Sequence, residues 1–185
     1  MIHTMINNST GGWTAPAVTA RTQVPRTGSE REQLTAMLAF YRETILRKCE
    51  GLTAEQLKTA PIPTSTLTLL GLVRHLAECE RWWFRSNAAG QGPSDLFCTD
   101  EFEDGDFDLV AEADAEADLA TFRDECDLAD EAIAHLDLDH TFAPVFKPDT
   151  KISLRWVYLH MIDEYSRHCG HADVIRESID GVTGY

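Results

Sequence analysis

No apolar stretch in these 185 residues approaches the roughly 20 needed to cross a bilayer. Nor does a charged segment followed by an apolar core open the chain, so neither a membrane span nor a secretory signal is expected. Basic residues are scarce: 16 Lys and Arg face 31 Asp and Glu, a net charge of −15 with an isoelectric point near 4.7. Without clustered cations the chain lacks what phosphate backbones and anionic lipid surfaces require, which argues against nucleic-acid and membrane partners. The five cysteines are odd in number, widely spread and form no C-x-x-C pair. That pattern fits reduced thiols and a cytoplasmic location rather than a disulfide framework. There is no internal repeat and no segment with a sustained strand period.

What is present is enough for one core. With 43% hydrophobic residues the chain can build an ordinary single domain without covalent staples. Residues 1–27, rich in Thr, Asn, Gly and Pro, lack any apolar period and read as a flexible arm outside the domain, which spans 28–185. Trp13 is the one residue in that arm suited to docking. Ser29, with Glu32 three positions on, forms a capping-box pattern that starts a first helix ending at Gly51. Thr53 starts a short turn. A second helix is expected from Thr66 to Ala89, a third from Ala113 to Leu136, and a fourth from a Ser153 or Thr150 cap. Long connections join the second to the third and the third to the fourth. The first of these holds the acidic run DEFEDGDFDLVAEADAEAD, which reads as a solvated loop feeding a helix N-terminus; its spacing does not match a calcium loop. The fold class is therefore all-α, a four-helix bundle with long crossover connections.

The fourth helical segment carries chemistry. Glu164 and His168 are four residues apart and share a face with Val157, Met161, Ala172 and Ile175. A carboxylate on a core-facing stripe needs a cation, a partner or a proton. His75 lies among Leu72, Leu76 and Cys79 on the buried face of the second helix. Taken alone it reads as a hydrogen-bonded core histidine, but opposite Glu-x-x-x-His it completes three ligands for a divalent metal with a fourth position open. Zinc suits two imidazoles and one carboxylate, although other first-row ions accept the same set. His160, one turn before Glu164, and His171, beside His168, are reserve ligand or outer-sphere candidates. Arg74, Arg81, Arg155 and Arg167 lie near the ligand helices, and of these Arg81 and Arg167, with Trp83, are candidate substrate contacts. Surface ion pairing and core packing are their competing roles. Cys169 follows His168 but points about 100° away from the ligand face.

The segments LGLVRHLAECERWWF, FCTDEFEDGDFD and SLRWVYLHMIDEYSRHCGHADVIRE resemble the DinB-like, YfiT-like metal-binding bundles, and within them the actinobacterial mycothiol S-transferase branch. The resemblance runs from about Gly28 to Gly184. Many members of this superfamily carry His-x-x-x-His on the last helix; Glu164 in the first of those positions is similar to the His, Glu, His set of mycothiol-dependent maleylpyruvate isomerases. By that resemblance His75, Glu164 and His168 are the ligands, zinc is the metal and mycothiol the cosubstrate. The isomerases' extra C-terminal domain is missing here, which sets isomerisation of maleylpyruvate apart from what carries over. The resemblance implies an enzyme that transfers a small thiol to an electrophilic acceptor, with a homodimer as a further expectation. The alternatives on the same residues are a metal-dependent hydrolase, isomerase or biosynthetic tailoring enzyme, and a non-catalytic bundle that holds metal only for stability.

Overall fold

The computed structural model describes residues 12–19 and 21–184. Four long helices make the bundle: α1 (Glu30–Cys49), α3 (Leu69–Glu80), α5 (Ala115–Ile133) and α6 (Leu154–Asp180). Short helices α2 (Ala54–Leu57) and α4 (Gly105–Asp108) sit in the connections. α1 packs along α6 and α3 along α5, while α3 also meets α6. Among the described residues no helix is long and apolar enough to cross a membrane.

Local chemistry places the helix starts. The Ser29 hydroxyl accepts from the Glu32 amide while the Glu32 carboxylate accepts from the Ser29 amide, so α1 begins in the expected capping box. Thr53 and Gln56 repeat the device at α2. The second long helix starts three residues later than its apolar pattern implies, because the Thr68 hydroxyl accepts from the Gly71 amide and makes Thr68 the cap. Asp114 caps α5 and Ser153 caps α6, and Gly181 closes α6 at φ +77°, a left-handed conformation that suits glycine.

Three features depart from the pattern. The helix of α3 continues from Arg81 to Ala88 as a wider π turn, in which the Ala89 amide donates to the Phe84 carbonyl. Asn87 takes up a carbonyl loosened by the wider turn, donating to Trp82 O at 2.8 Å. A two-residue strand pair, β1 (Thr141–Phe142) against β2 (Ile152–Ser153), closes the second crossover where no strand was expected. The N-terminal segment, expected as an arm clear of the domain, lies along the bundle over residues 12–19 and 21–27. Ala15 is buried and its amide donates to Leu52 O at 2.9 Å, while the Thr22 amide and hydroxyl both donate to Glu43. Trp13 packs against the same core. A backbone bridge and carboxylate contacts fasten this segment, so an apolar period is not needed. The part of the arm before Gly12 lies outside the described residues.

The core holds Leu38, Ile45, Leu72, Leu76, Phe122 and Met161, each 1% exposed or less. Inside it sits a charged group. The Arg42 guanidinium donates twice to Glu80 at 2.7 Å and twice to Asp130 at 2.9 Å, and the Tyr165 hydroxyl donates to Glu80 at 2.7 Å. The guanidinium and two carboxylates join α1, α3 and α5, and Tyr165 adds α6. Arg42→Leu strands the Glu80 carboxylate in the core and is expected to cost about 3–5 kcal/mol. Urea unfolding should show a lower midpoint at unchanged slope.

Candidate metal centre

His75 projects from α3 into the seam with α6, where Glu164 and His168 lie one turn apart. Glu164 Oε2 is 3.4 Å from His168 Nε2 and 3.9 Å from His75 Nε2, and the two imidazole centroids are 4.8 Å apart. One donor atom from each of the three falls within 4.8 Å of the others. The three side chains are 26, 16 and 12% exposed in the order His75, Glu164, His168, so the cluster is shielded but reachable.

A residue from the acidic run orients His75. Asp106 Oδ2 lies 2.9 Å from His75 Nδ1. A carboxylate accepts, so Nδ1 carries the proton, and in the neutral ring Nε2 turns its lone pair toward Glu164 and His168. The loop can press this close because two glycines remove side-chain bulk. A Cβ on Gly105 would meet Phe97 O at 2.2 Å, and one on Gly71 would meet the Phe107 ring at 2.9 Å. Arg74, the neighbour of His75, staples the loop from below. It donates to Asp106 O at 3.0 Å, to Gly105 O at 2.9 Å and to Asp118 at 2.8 Å, with its guanidinium 3.9 Å from the Phe97 ring centroid.

The donor set fits a divalent ion: two imidazole nitrogens and a carboxylate oxygen converge, and the second nitrogen of His75 is already held. In the metal-free protein protons take part of that role. Burial opposes charge on His75, but the hydrogen bonds with Asp106 and Cys79 outweigh it and raise its pKa to about 10. Burial, then repulsion from His75, lowers His168 to about 4 against the pull of Glu164. Burial also raises the Cys79 thiol, whose Sγ lies 3.6 Å from His75 Nε2.

The other candidate residues fall into place around this cluster. His171 Nδ1 is 3.4 Å from His168 Nδ1, beside the triad. His160 is outside it, stacked on Trp156 at 4.9 Å between ring centroids and edge-on to Trp83 at 4.7 Å. Trp83 belongs to that aromatic group, with Phe146 completing it; Trp82 is the tryptophan that lines the cavity beside His75. Arg81 is paired with Glu125 on α5 at 2.6 Å and also donates to Ser94 O, turned away from His75. Arg167 is half exposed, 2.9 Å from Asp163 and 3.7 Å from Glu164. The cavity, about 470 Å³, lies between α3 and the acidic connection, with His75, Cys79, Trp82 and Phe107 in its wall. Asp106 carries almost no signal in the sequence beyond its place between Gly105 and Phe107, small and apolar neighbours within the acidic run.

Residues 33–181 match the family described as Mycothiol-S-transferase. The chain belongs to this mycothiol-S-transferase family. No curated protein and no solved structure matches it. Membership of the mycothiol-S-transferase family agrees with the helical bundle and implies a small-molecule thiol substrate.

Asp106→Asn gives two expected outcomes. Losing the orienting acceptor should weaken divalent-metal affinity about 10- to 100-fold, read by competition with a chromophoric chelator. In chelator-treated protein, the stability that Asp106 draws from a raised His75 pKa is complete below the unfolded value of 6.5 and disappears as pH climbs toward 10. The wild-type advantage should therefore be greatest below that value, at about 1.5–3 kcal/mol, and shrink through the alkaline range in urea unfolding curves.

Proposed function

We propose that this protein is a metal-dependent thiol transferase that joins mycothiol, or a related low-molecular-weight thiol, to an electrophilic small molecule. The observation that carries the reading is the convergence of His75, Glu164 and His168 in the seam between α3 and α6, with His75 also in the wall of a cavity of about 470 Å³. Family membership supports the choice of thiol.

His75, Glu164 and His168 would hold the ion, with zinc the best match to two nitrogens and an oxygen. The ion would lower the pKa of a bound thiol and so supply thiolate near neutral pH. The protein residues do the rest. Asp106 keeps the His75 Nδ1 proton in place so that Nε2 remains a donor. Arg74 and the two close glycine contacts hold Asp106 and Phe107 against α3, which fixes one wall of the cavity. Trp82 and Phe107 give that wall apolar surface for a neutral part of either substrate. Arg167 beside Glu164 brings a positive charge to the α6 side of the triad.

Glu164→Gln keeps the side chain's size and removes its charge. The expected result is a helical protein by far-UV circular dichroism with sharply reduced metal content and thiol consumption at least about 100-fold slower, in line with removal of an interaction that stabilises developing charge. Wild-type thiol transfer by the folded, metal-free variant would overturn the mechanism.

A further inference from the structure

The triad supplies three donors, and a sulfur lies against one of them. Cys79 lies one helical turn after His75 on α3, so both side chains leave the same face. Its Sγ is 3.6 Å from His75 Nε2, the nitrogen turned toward Glu164 and His168, and among the described residues this is the sulfur's one contact within hydrogen-bonding range. Tetrahedral zinc, with bonds of about 2.0–2.1 Å to nitrogen and about 2.3 Å to sulfur, separates N and S ligands by about 3.6 Å, and N and O ligands by about 3.4 Å. The Cys79–His75 separation of 3.6 Å and the Glu164–His168 separation of 3.4 Å match those two edges. Cys79 stands outside the 4.8 Å grouping of the triad, so ligation requires its side chain to turn from His75 toward Glu164 and His168.

We propose that Cys79 is the fourth ligand of the resting metal centre, closing it with a protein sulfur that the substrate thiol must replace. This rests on the metal-thiol reading above. The exchange balances without any redox partner: the incoming thiol gives up its proton, the departing Cys79 sulfur takes one up, and one metal–sulfur bond replaces another with no electron transferred. A thiolate leaves as a thiolate arrives, so the charge at the centre stays the same. Cys98, in the wall of the same cavity, is the natural control.

The test uses the full-length protein loaded with cobalt(II) in the absence of added thiol. Wild-type protein and Cys98→Ser should show a near-ultraviolet thiolate-to-cobalt charge-transfer band. Cys79→Ser should bind one equivalent of cobalt and lack that band. Cobalt bound by wild type without the band, or a band that survives in Cys79→Ser, overturns the proposal while leaving the triad intact. Failure of every protein to bind cobalt removes the metal centre and the proposal together. Mycothiol added to Cys79→Ser separates the two ideas further. Return of the band shows substrate sulfur taking the place vacated by Cys79, and its absence shows that the metal-thiol reading is wrong even if Cys79 is a ligand.

Discussion

The geometry of the bundle depends on where the buried Arg42 guanidinium puts its charge. A cation in an apolar interior is tolerated only when its donors are taken, and here Glu80 on α3 and Asp130 on α5 take four of them. Glu80 in turn accepts from Tyr165 on α6, the residue after Glu164. Sliding α3 against α6 would break a charged hydrogen bond in the core. A metal held by His75, Glu164 and His168 would need that constraint, because its donors come from these two helices and must agree to within a few tenths of an ångström. Apolar packing alone allows helices more freedom to shift than such a site tolerates.

A second clamp acts on the acidic connection. Arg74 fixes the acidic connection to α3 through backbone carbonyls of Gly105 and Asp106, which do not change charge with pH, and through Asp118 on α5. The connection carries strong negative charge, and an unrestrained acidic loop would drift into solvent by self-repulsion. Glu78 assists from α3, accepting from the amides of Leu96, Phe97 and Cys98. Acidic residues in this stretch therefore act in two ways: some stay in water and line the cavity, while Asp106 and Asp118 enter the protein, the first to hold an imidazole and the second the Arg74 guanidinium.

Much of the architecture was legible because it follows from local rules. Ser29, Thr53 and Ser153 cap helices as their sequence contexts imply, and the i, i+4 spacing of Glu164 and His168 placed both on the face that meets His75. What was hidden depends on contacts between segments far apart in sequence. Asp106 looks like any other member of its acidic run until Gly105 lets the loop approach α3. Arg81 looked available for an anionic substrate, but Glu125 on α5 occupies it. The docking of Ala15 relies on a backbone bridge to residues 51–53, for which side-chain periodicity carries no signal. The π turn that sends Trp82 to the cavity and Trp83 to the His160 cluster shifts side-chain directions in a way that a regular helical wheel does not show.

Charge balance links these parts. A divalent ion among two neutral imidazoles and the Glu164 carboxylate would leave one positive charge in a partly desolvated seam, and Asp106, bonded to the far side of His75, offsets it through the ring. The centre plus Asp106 is then neutral, which is the least costly state for a group removed from water. Adding a thiolate would make it negative, and Arg167, 3.7 Å from Glu164, is a cation close enough to compensate. A sulfur ligand already in place with the ion would change the terms of that step. Replacing one thiolate by another would demand no new compensation, so the desolvation cost of a negative centre would fall on folding and metal binding, when the packing of four helices opposes it, and would not recur each time a substrate arrives.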